Sequence, residues 1–187
     1  KLVAEARAEH AELAARGQRG ERTEWMPWHE GCHLITRALG KQNPVFTEVL
    51  RAMAGYFGVD ANPKATRFNW YTDGSDWKPF HHDSAAFNVE RAKTQNLTIG
   101  ISFGAERELA FLHAETGTLC YLPCPNGSLY AFGRDVNIKW KHGVNALPPE
   151  RHGEPGRVSI ILWGQANQVI DESNSPPMIV NNHGPRG

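Results

Sequence analysis

The spacing of hydrophobic and polar residues divides the chain into a helical N-terminal part and a strand-rich remainder. Residues 2–16 carry apolar side chains among Ala, Glu and Arg at helical spacing, and this pattern ends at Gly17. A second helix is predicted from Asn43-Pro44, a cap followed by a first-turn proline, through to Gly58. From about residue 66, short β-branched and aromatic runs alternate with clusters of Gly, Pro, Asn and Asp. This change predicts helices first and β structure afterwards.

Eight short runs predict a sandwich or barrel of antiparallel strands. They are RFNWY, PFHHD, LTIGISFG, LAFLHA, TLCYLP, SLYAFG, IKWKHGV and RVSIILWGQ. The predicted fold class is therefore mainly β with flanking helices (α+β). We expect a single domain overall, in which residues 1–65 form a helical and substrate-recognition region, residues 66–169 the core, and residues 170–187 a loose C-terminal tail.

Composition and charge narrow the function classes without changing this picture. Lys+Arg and Asp+Glu both number 20, and the resulting zero net charge gives no support for tight nonspecific binding to nucleic acid. The 3 cysteines are too few and too odd in number for a disulfide framework, which favours a reduced intracellular compartment, cytoplasm or nucleus. No apolar run approaches the ~20 residues of a membrane span, so we expect no membrane association.

Two metal ligands are predicted in the run PFHHD. His81 and Asp83 are two residues apart on a predicted strand, so both point to the same face, about 6.6 Å apart along the chain. His82 must point the other way and is interpreted as a packing or surface residue. A returning strand can bring His142, in IKWKHGV, beside this pair. Two imidazoles and one carboxylate are the facial triad of non-haem iron(II) oxygenases, with open positions for a 2-oxoacid and dioxygen.

A second group of residues suits a buried dicarboxylate. Arg157 opens the apolar run RVSIILWG, where a lone cation is costly unless it has an anionic partner. Its planar fork can bind a carboxylate through two hydrogen bonds, and Ser159 on the same face can add a hydroxyl donor. Asn69 and Tyr71 share a face of RFNWY and supply an amide and a phenol. The pattern H-x-D is common by chance, and Arg157 could instead form a surface ion pair. The metal site and the carboxylate site are therefore each more convincing because the sequence predicts both.

Four separated blocks of the sequence resemble the AlkB-type family of Fe(II)- and 2-oxoglutarate-dependent dioxygenases. They are NWYTDGSDWKPFHHD, TIGISFGAERELAF, NGSLYAFGRDVNIKWKHGV and RVSIILWG, within about residues 66–165. The resemblance implies a double-stranded β-helix (jelly-roll) core with helices packed outside. It also implies iron binding by His81, Asp83 and His142, and 2-oxoglutarate binding by Asn69, Tyr71 and Arg157.

The same resemblance implies that iron(II), 2-oxoglutarate and dioxygen, with ascorbate as the reductant in vitro, hydroxylate a C–H bond and release succinate and carbon dioxide. A hydroxylated N-methyl group loses formaldehyde, so hydroxylation and demethylation share one reaction. Two positions depart from the family's pattern. Trp163 replaces a second arginine, six residues after the first. Nucleobase-repair members also place an acidic residue shortly after the ligand aspartate, and this chain has Ser84, Ala85 and Ala86 there.

Substrate selection is expected in residues 20–66 and in the loop 72–78. Arg67 shares a strand face with the co-substrate residues and is a further candidate. The candidates for stacking against a planar base are Trp25, Trp28 and Trp77, for which packing over the jelly-roll is the alternative. The resemblance favours an N-alkylated nucleobase in DNA or RNA as the substrate. The zero net charge and the missing acidic residue favour a protein side chain or a small molecule instead.

Two further interpretations stay open beside the oxygenase. HEGCH, residues 29–33, matches the zinc-peptidase pattern H-E-x-x-H, in which His29 and His33 share a helix face and the glutamate acts as general base. Gly31 and the preceding Pro27 weaken this helix, and no downstream ligand has a recognisable spacing. The other interpretation is a catalytically dead jelly-roll that binds a partner. The complete triad argues against it.

Overall fold

The computed structural model describes residues 26–27, 34–36, 44–60 and 65–167 of the chain. Several sequence predictions lie outside the described residues: the helix at 2–16, the histidines of HEGCH, Trp25, Trp28 and the tail at 170–187. Within the described ranges, no helix is both long and apolar enough to cross a membrane.

Strands dominate the described residues, with one long helix between the second and third strands and two short helices further along the chain. In chain order the elements are β1 (Met26–Pro27), β2 (Leu34–Thr36), α1 (Pro44–Phe57), β3 (Thr66–Asp73), β4 (Lys78–His81), α2 (Val89–Ala92), β5 (Leu97–Gly104), β6 (Arg107–His113), β7 (Leu119–Cys124), β8 (Leu129–Gly133), α3 (Arg134–Lys139), β9 (Trp140–Val144) and β10 (Pro155–Gly164). The bounds of α1 match the helix predicted from the cap and proline pattern, and Gly58 follows it with a φ of 63°.

The strands form two antiparallel sheets. One has the order β1-β2-β3-β10-β5-β8, and the other has the order β4-β9-β6-β7. From β3 onward the chain crosses repeatedly between the sheets, because β3, β5, β8 and β10 belong to the first while β4, β6, β7 and β9 belong to the second. This is the double-stranded β-helix, or jelly-roll, and the predicted fold class is confirmed.

The core of the molecule lies between α1 and the outer face of the first sheet. Phe46, Leu50 and Met53 of α1 pack against apolar side chains of β3, β5 and β10. On β10 the outward-facing residues Val158, Ile160 and Leu162 enter this core, and the alternate residues face the space between the sheets. A strand buried on both faces therefore presents apolar residues to the helix and chemistry-bearing residues to the interior.

Two local predictions differ from the structure. The N-terminal region was expected to be helical, yet β2 pairs with β3 and extends the first sheet. The run IKWKHGV was expected to be a strand throughout, yet α3 continues to Lys139 and β9 begins at Trp140. The helix is favoured here because Asn137 and Ile138 are buried by contacts that the local alternation does not reveal.

Candidate metal centre and the cleft beside it

Two histidines meet across neighbouring strands of the second sheet. His81 of β4 and His142 of β9 are direct partners in the strand register, and their ring centroids lie 4.3 Å apart. The close approach of these strands requires a glycine after His142, because a Cβ on Gly143 would lie 2.7 Å from the carbonyl oxygen of Lys78. In the sequence K-H-G, the histidine is therefore the second member of the pair, and the glycine allows the short distance between β4 and β9.

Asp83 completes the group from a position just outside the strand. β4 ends at His81, so the predicted same-strand placement of Asp83 is wrong, but its backbone remains extended, with φ −65° and ψ 148°. Its Oδ1 lies 3.9 Å from His81 Nε2 and 3.7 Å from His142 Nε2. One ligand atom from each of the three side chains lies within 4.8 Å of the others. The structure therefore brings the three predicted ligands together.

The contacts around Asp83 fix both its backbone and its carboxylate. Asn137 of α3 accepts a hydrogen bond from the Asp83 amide at 2.8 Å and donates one to its carbonyl oxygen at 3.1 Å. Asp83 Oδ2 accepts from Thr98 Oγ1 at 3.0 Å and from Trp163 Nε1 at 2.9 Å. Sequence reasoning missed Asn137 and Thr98, and it singled out Trp163 without finding this contact.

The surroundings of the two histidines suit metal binding through Nε2. His81 Nδ1 lies 2.9 Å from the carbonyl oxygen of Pro79, which can only accept, so Nδ1 carries a proton and Nε2 is the ring nitrogen nearer Asp83. Burial lowers the pKa of His142 to about 4, with Asp83 acting in the opposite direction. Neutral imidazoles are the form that binds metals. His82 points elsewhere, as predicted, with Nδ1 2.6 Å from the carbonyl oxygen of Asn137.

Arg157 occupies the interior side of the first sheet. It pairs in register with Tyr71, and its guanidinium carbon lies 5.1 Å from the centroid of the Tyr71 ring. It is 2% exposed, and Nη2 donates to Ser102 Oγ at 2.7 Å. Nε and Nη1 are buried and have no hydrogen-bond partner in the described part of the chain. Two donors of a buried cation are therefore available to an anion.

The predicted polar neighbours of Arg157 are also brought together. Ser159 pairs in register with Asn69 and accepts a hydrogen bond from its Nδ2 at 3.1 Å. The hydroxyl that contacts Arg157 belongs to Ser102 on β5, which sequence reasoning missed. Ser102 and Ser159 are cross-strand partners, and only the strand register could have indicated this arrangement.

One narrow cleft connects the histidine group with Arg157, and its cavity volume is about 20 Å³. It is lined by Asn69, Tyr71, Lys78, Asp83, Thr98, Leu109, Tyr130, Phe132, His142, Gly143, Val144, Arg157, Ser159, Ile161 and Trp163. Burial raises the pKa of Tyr71, so its phenol stays neutral. Lys78 was not predicted, and burial lowers its pKa to about 8, with Asp83 raising it and Arg67 and Arg157 lowering it. The cleft therefore holds an additional cation.

The predicted substrate residues lie in different places. Arg67 places its guanidinium carbon 5.9 Å from the centroid of the Trp163 ring, beside the cleft. Trp77 is 40% exposed and is not among the residues that line the cleft. Ala85 and Ala86, which stand where the resemblance led us to look for an acidic residue, are buried.

A second, apolar groove adjoins the cleft at the edge formed by β7 and β8. It is lined by Leu109, Phe111, Cys120, Leu122, Tyr130, Ala131, Phe132, Val136 and Trp140. Leu109, Tyr130 and Phe132 border both spaces. Sequence analysis did not predict this groove.

The sequence matches no protein-family model and no curated protein. Among similar solved structures, OsALKBH1 aligns with a TM-score of 0.44 and 15% identity, over 65% of this chain and 62% of that chain. The Drosophila melanogaster CENP-C cupin domain aligns with a TM-score of 0.37 and 5% identity, over 54% of this chain and 60% of that one. An oxalate oxidase in complex with the substrate analogue glycolate aligns with a TM-score of 0.35 and 13% identity, over 56% of this chain and 44% of that one. The chain spans less than two thirds of each, and likenesses of this size carry no argument about activity.

Proposed function

We propose that this chain is an Fe(II)- and 2-oxoglutarate-dependent dioxygenase that hydroxylates a C–H bond of its substrate, or removes an N-methyl group by the same reaction. The observation that carries the proposal is the buried Arg157, whose Nε and Nη1 have no hydrogen-bond partner in the described residues, in the same cleft as a His-Asp-His group. A metal group alone suits many reactions, and a buried cation alone suits many ligands. Their union in one cleft favours a metal enzyme with an anionic co-substrate.

The donor set suits ferrous iron. His81, Asp83 and His142 offer two imidazole nitrogens and one carboxylate oxygen, the combination that non-haem iron oxygenases use. When bound, iron supplies dioxygen activation, coupled to the conversion of 2-oxoglutarate to succinate and carbon dioxide. The contribution of the chain is to hold the ligands, with Asn137 fixing the Asp83 backbone and the Pro79 carbonyl oxygen fixing the His81 tautomer.

The far end of the cleft suits a carboxylate. In our proposal, Arg157 binds the distal carboxylate of 2-oxoglutarate through Nη1 and the second N–H of Nη2, which together form the end-on pair of the guanidinium fork. Asn69 and Tyr71 supply further polar atoms on the neighbouring strand β3, and Lys78 supplies a second positive charge. Leu109 and other apolar lining residues exclude water, which strengthens these electrostatic contacts.

For the substrate we propose an N-alkylated nucleobase in DNA or RNA. Arg67 beside the cleft supports it, because a cation there suits a phosphate backbone. The alternative is a protein side chain or a small molecule, which the zero net charge and the absence of an acidic side chain at residues 84–86 favour. Binding of single-stranded and duplex oligonucleotides at increasing salt separates these substrates. A steep salt dependence supports nucleic acid, and no binding at low salt contradicts it.

Succinate release from 2-oxoglutarate, with Fe(II) and ascorbate, tests the oxygenase proposal without knowledge of the substrate. We expect slow turnover by the native chain and none by His142→Ala or Arg157→Ala. His113→Ala and Arg151→Ala, at positions away from the cleft lining, are matched controls that should retain turnover. If the native chain neither binds nor consumes 2-oxoglutarate, the proposal is wrong. The HEGCH zinc site and the binding scaffold then become the leading interpretations.

A further inference from the structure

The two oxygen atoms of Asp83 have different surroundings. Oδ1 lies within 4 Å of Nε2 of both His81 and His142. Oδ2 accepts hydrogen bonds from Thr98 and Trp163 at 3.0 and 2.9 Å. Two hydrogen bonds occupy both lone pairs of a carboxylate oxygen. The lone pairs of Asp83 that remain for a metal are therefore those of Oδ1.

The two donors to Oδ2 come from neighbouring strands at the same register. Trp163 of β10 is directly opposite Thr98 of β5. Residues opposite each other in an antiparallel pair project to the same face with short Cβ distances, so the hydroxyl and the indole converge on one acceptor. Both side chains line the cleft. The pairing of β5 with β10 therefore brings the Thr98 hydroxyl and the Trp163 indole together, and no flexible loop is needed for this.

The indole donor differs chemically from the arginine that the resemblance leads one to expect at this position. Indole Nε1–H is a single neutral donor, whereas a guanidinium carries a full positive charge and several donors. Trp163 therefore orients the carboxylate without neutralising it. The guanidinium carbon of Arg67 lies 5.9 Å from the indole ring centroid, a distance at which cation–π attraction helps to hold the ring.

We propose that Trp163, together with Thr98, is a positioning residue that holds Oδ2 so that Asp83 presents Oδ1 alone to a divalent metal. A carboxylate that binds through one oxygen leaves a further coordination position open, and a co-substrate with two donor atoms plus dioxygen requires three. The inference rests on the proposed function, because the co-substrate and dioxygen of that function are what would take the open coordination positions. The metal affinity that it predicts is measurable without any turnover.

The test is Mn²⁺ binding by calorimetry and the visible spectrum of the Co²⁺-loaded protein, both without 2-oxoglutarate. Trp163→Phe keeps an aromatic ring near Arg67 and removes the N–H donor, so we expect Mn²⁺ affinity to fall roughly 10- to 100-fold, as for other groups that orient metal ligands. The Co²⁺ bands should shift, because the carboxylate is free to bind through both oxygens. Thr98→Val should act in the same direction on the same oxygen.

Two comparisons distinguish positioning from a general effect on the fold. Trp163→Gln places an N–H donor the same number of bonds from Cα as the indole nitrogen, and should recover most of the affinity. Trp140→Phe removes an indole from the apolar groove outside the cleft, and should change neither affinity nor spectrum. If Trp163→Phe does not fold, Thr98→Val still removes a donor to the same oxygen and should lower the affinity, whereas Trp163→Gln should keep most of it.

The outcomes separate this inference from the proposed function. If the native chain binds Mn²⁺ through His142, and Trp163→Phe and Thr98→Val bind it equally tightly with unchanged Co²⁺ bands, the positioning role is wrong while the metal centre stands. Equal losses in Trp163→Phe and Trp163→Gln, with unchanged Co²⁺ bands, also contradict it. If the native chain binds no divalent metal, the proposed function itself fails.

Discussion

Arg107 and Arg157 are two buried arginines in nearly identical settings. They are 3% and 2% exposed, and their guanidinium carbons lie 5.6 and 5.1 Å from the centroid of the same ring, that of Tyr71. Burial and an aromatic neighbour are therefore not what distinguishes them.

Their hydrogen bonds are different. Arg107 donates from Nη1 to the Asp73 carbonyl oxygen at 3.3 Å, and from Nη2 to the carbonyl oxygens of Asp76, at 2.8 Å, and Asn145. Only its Nε is buried without a partner in the residues that the structure describes, whereas Arg157 has two such nitrogens, Nε and Nη1, and donates from Nη2 to Ser102. Both terminal nitrogens of Arg107 are held by backbone carbonyl oxygens, and the side chain links residues 73–76 to Asn145. Arg157 keeps its donors in a cleft, as a ligand-binding group does.

The largest expected effect is on co-substrate binding by Arg157→Met. Removing one partner of a buried charge pair costs about 2–5 kcal/mol, so the Kd for 2-oxoglutarate should rise roughly 30-fold or more. The free energy of unfolding of the ligand-free protein should stay equal or rise, because a poorly compensated buried charge is removed. Calorimetry and urea unfolding measure the two quantities. A Kd within threefold of native, or a free energy of unfolding lowered by more than 2 kcal/mol, would show that Arg157 does not differ from Arg107 as a ligand-binding residue.

Arg107→Met should have the opposite effects: it should lower stability and leave 2-oxoglutarate binding nearly unchanged. Three carbonyl oxygens lose their donor, and we expect the free energy of unfolding to fall by about 2–4 kcal/mol. The folded protein should retain 2-oxoglutarate binding close to native, because the cleft lining does not include Arg107. Urea unfolding with and without the ligand is the measurement. Unchanged stability would show that the loop contacts of Arg107 are incidental.

The pH dependence of binding sharpens the role of the second cation in the cleft. Burial lowers the pKa of Lys78 to about 8, and a bound dianion raises it again, so binding takes up a proton above pH 8. The affinity for 2-oxoglutarate should be flat below pH 8 and fall by up to about tenfold per pH unit above it. In Lys78→Met this fall should disappear. A native profile that is flat to pH 10 would exclude Lys78 from the anion site.

The smallest expected effect concerns the ring that both arginines share. Tyr71→Phe keeps the aromatic face for Arg107 and Arg157 and removes one hydroxyl. We expect stability close to native, and a Kd for 2-oxoglutarate raised about 3- to 10-fold, the usual net contribution of a single hydrogen bond. The same two experiments as for the arginine variants measure it. A loss as large as that of Arg157→Met would show that the phenol, and not the guanidinium, dominates binding.

The fold was predictable because its signal is local. Period-two alternation separates Phe68 from Asn69 and Val158 from Arg157, so outer-face and inner-face residues could be assigned from the sequence. All eight predicted runs contain strands of the jelly-roll. The residues predicted as ligands also come together, although metal and co-substrate binding remain predictions.

The partners of those residues were not predictable, because they depend on contacts between distant parts of the chain. Thr98 and Ser102 lie opposite Trp163 and Ser159 only because β5 and β10 pair in one particular register. Asn137 reaches the Asp83 backbone from a short helix that the strand pattern did not indicate and whose last two residues, Ile138 and Lys139, fall in a run predicted as a strand. In the sequence, Lys78 looks like an ordinary lysine at the end of a strand, and only the structure shows that it lines the cleft.

Gly143 has a consequence for how this protein can diverge. Since a Cβ there would lie 2.7 Å from the Lys78 carbonyl oxygen and 3.1 Å from the Phe80 amide nitrogen, any side chain would force β9 away from β4. Such a change would separate His142 from His81 without altering either ligand. Over evolutionary time, purifying selection on the metal site should act on the dipeptide His142-Gly143 as one unit, so distant relatives are better sought with this pair than with the histidine alone.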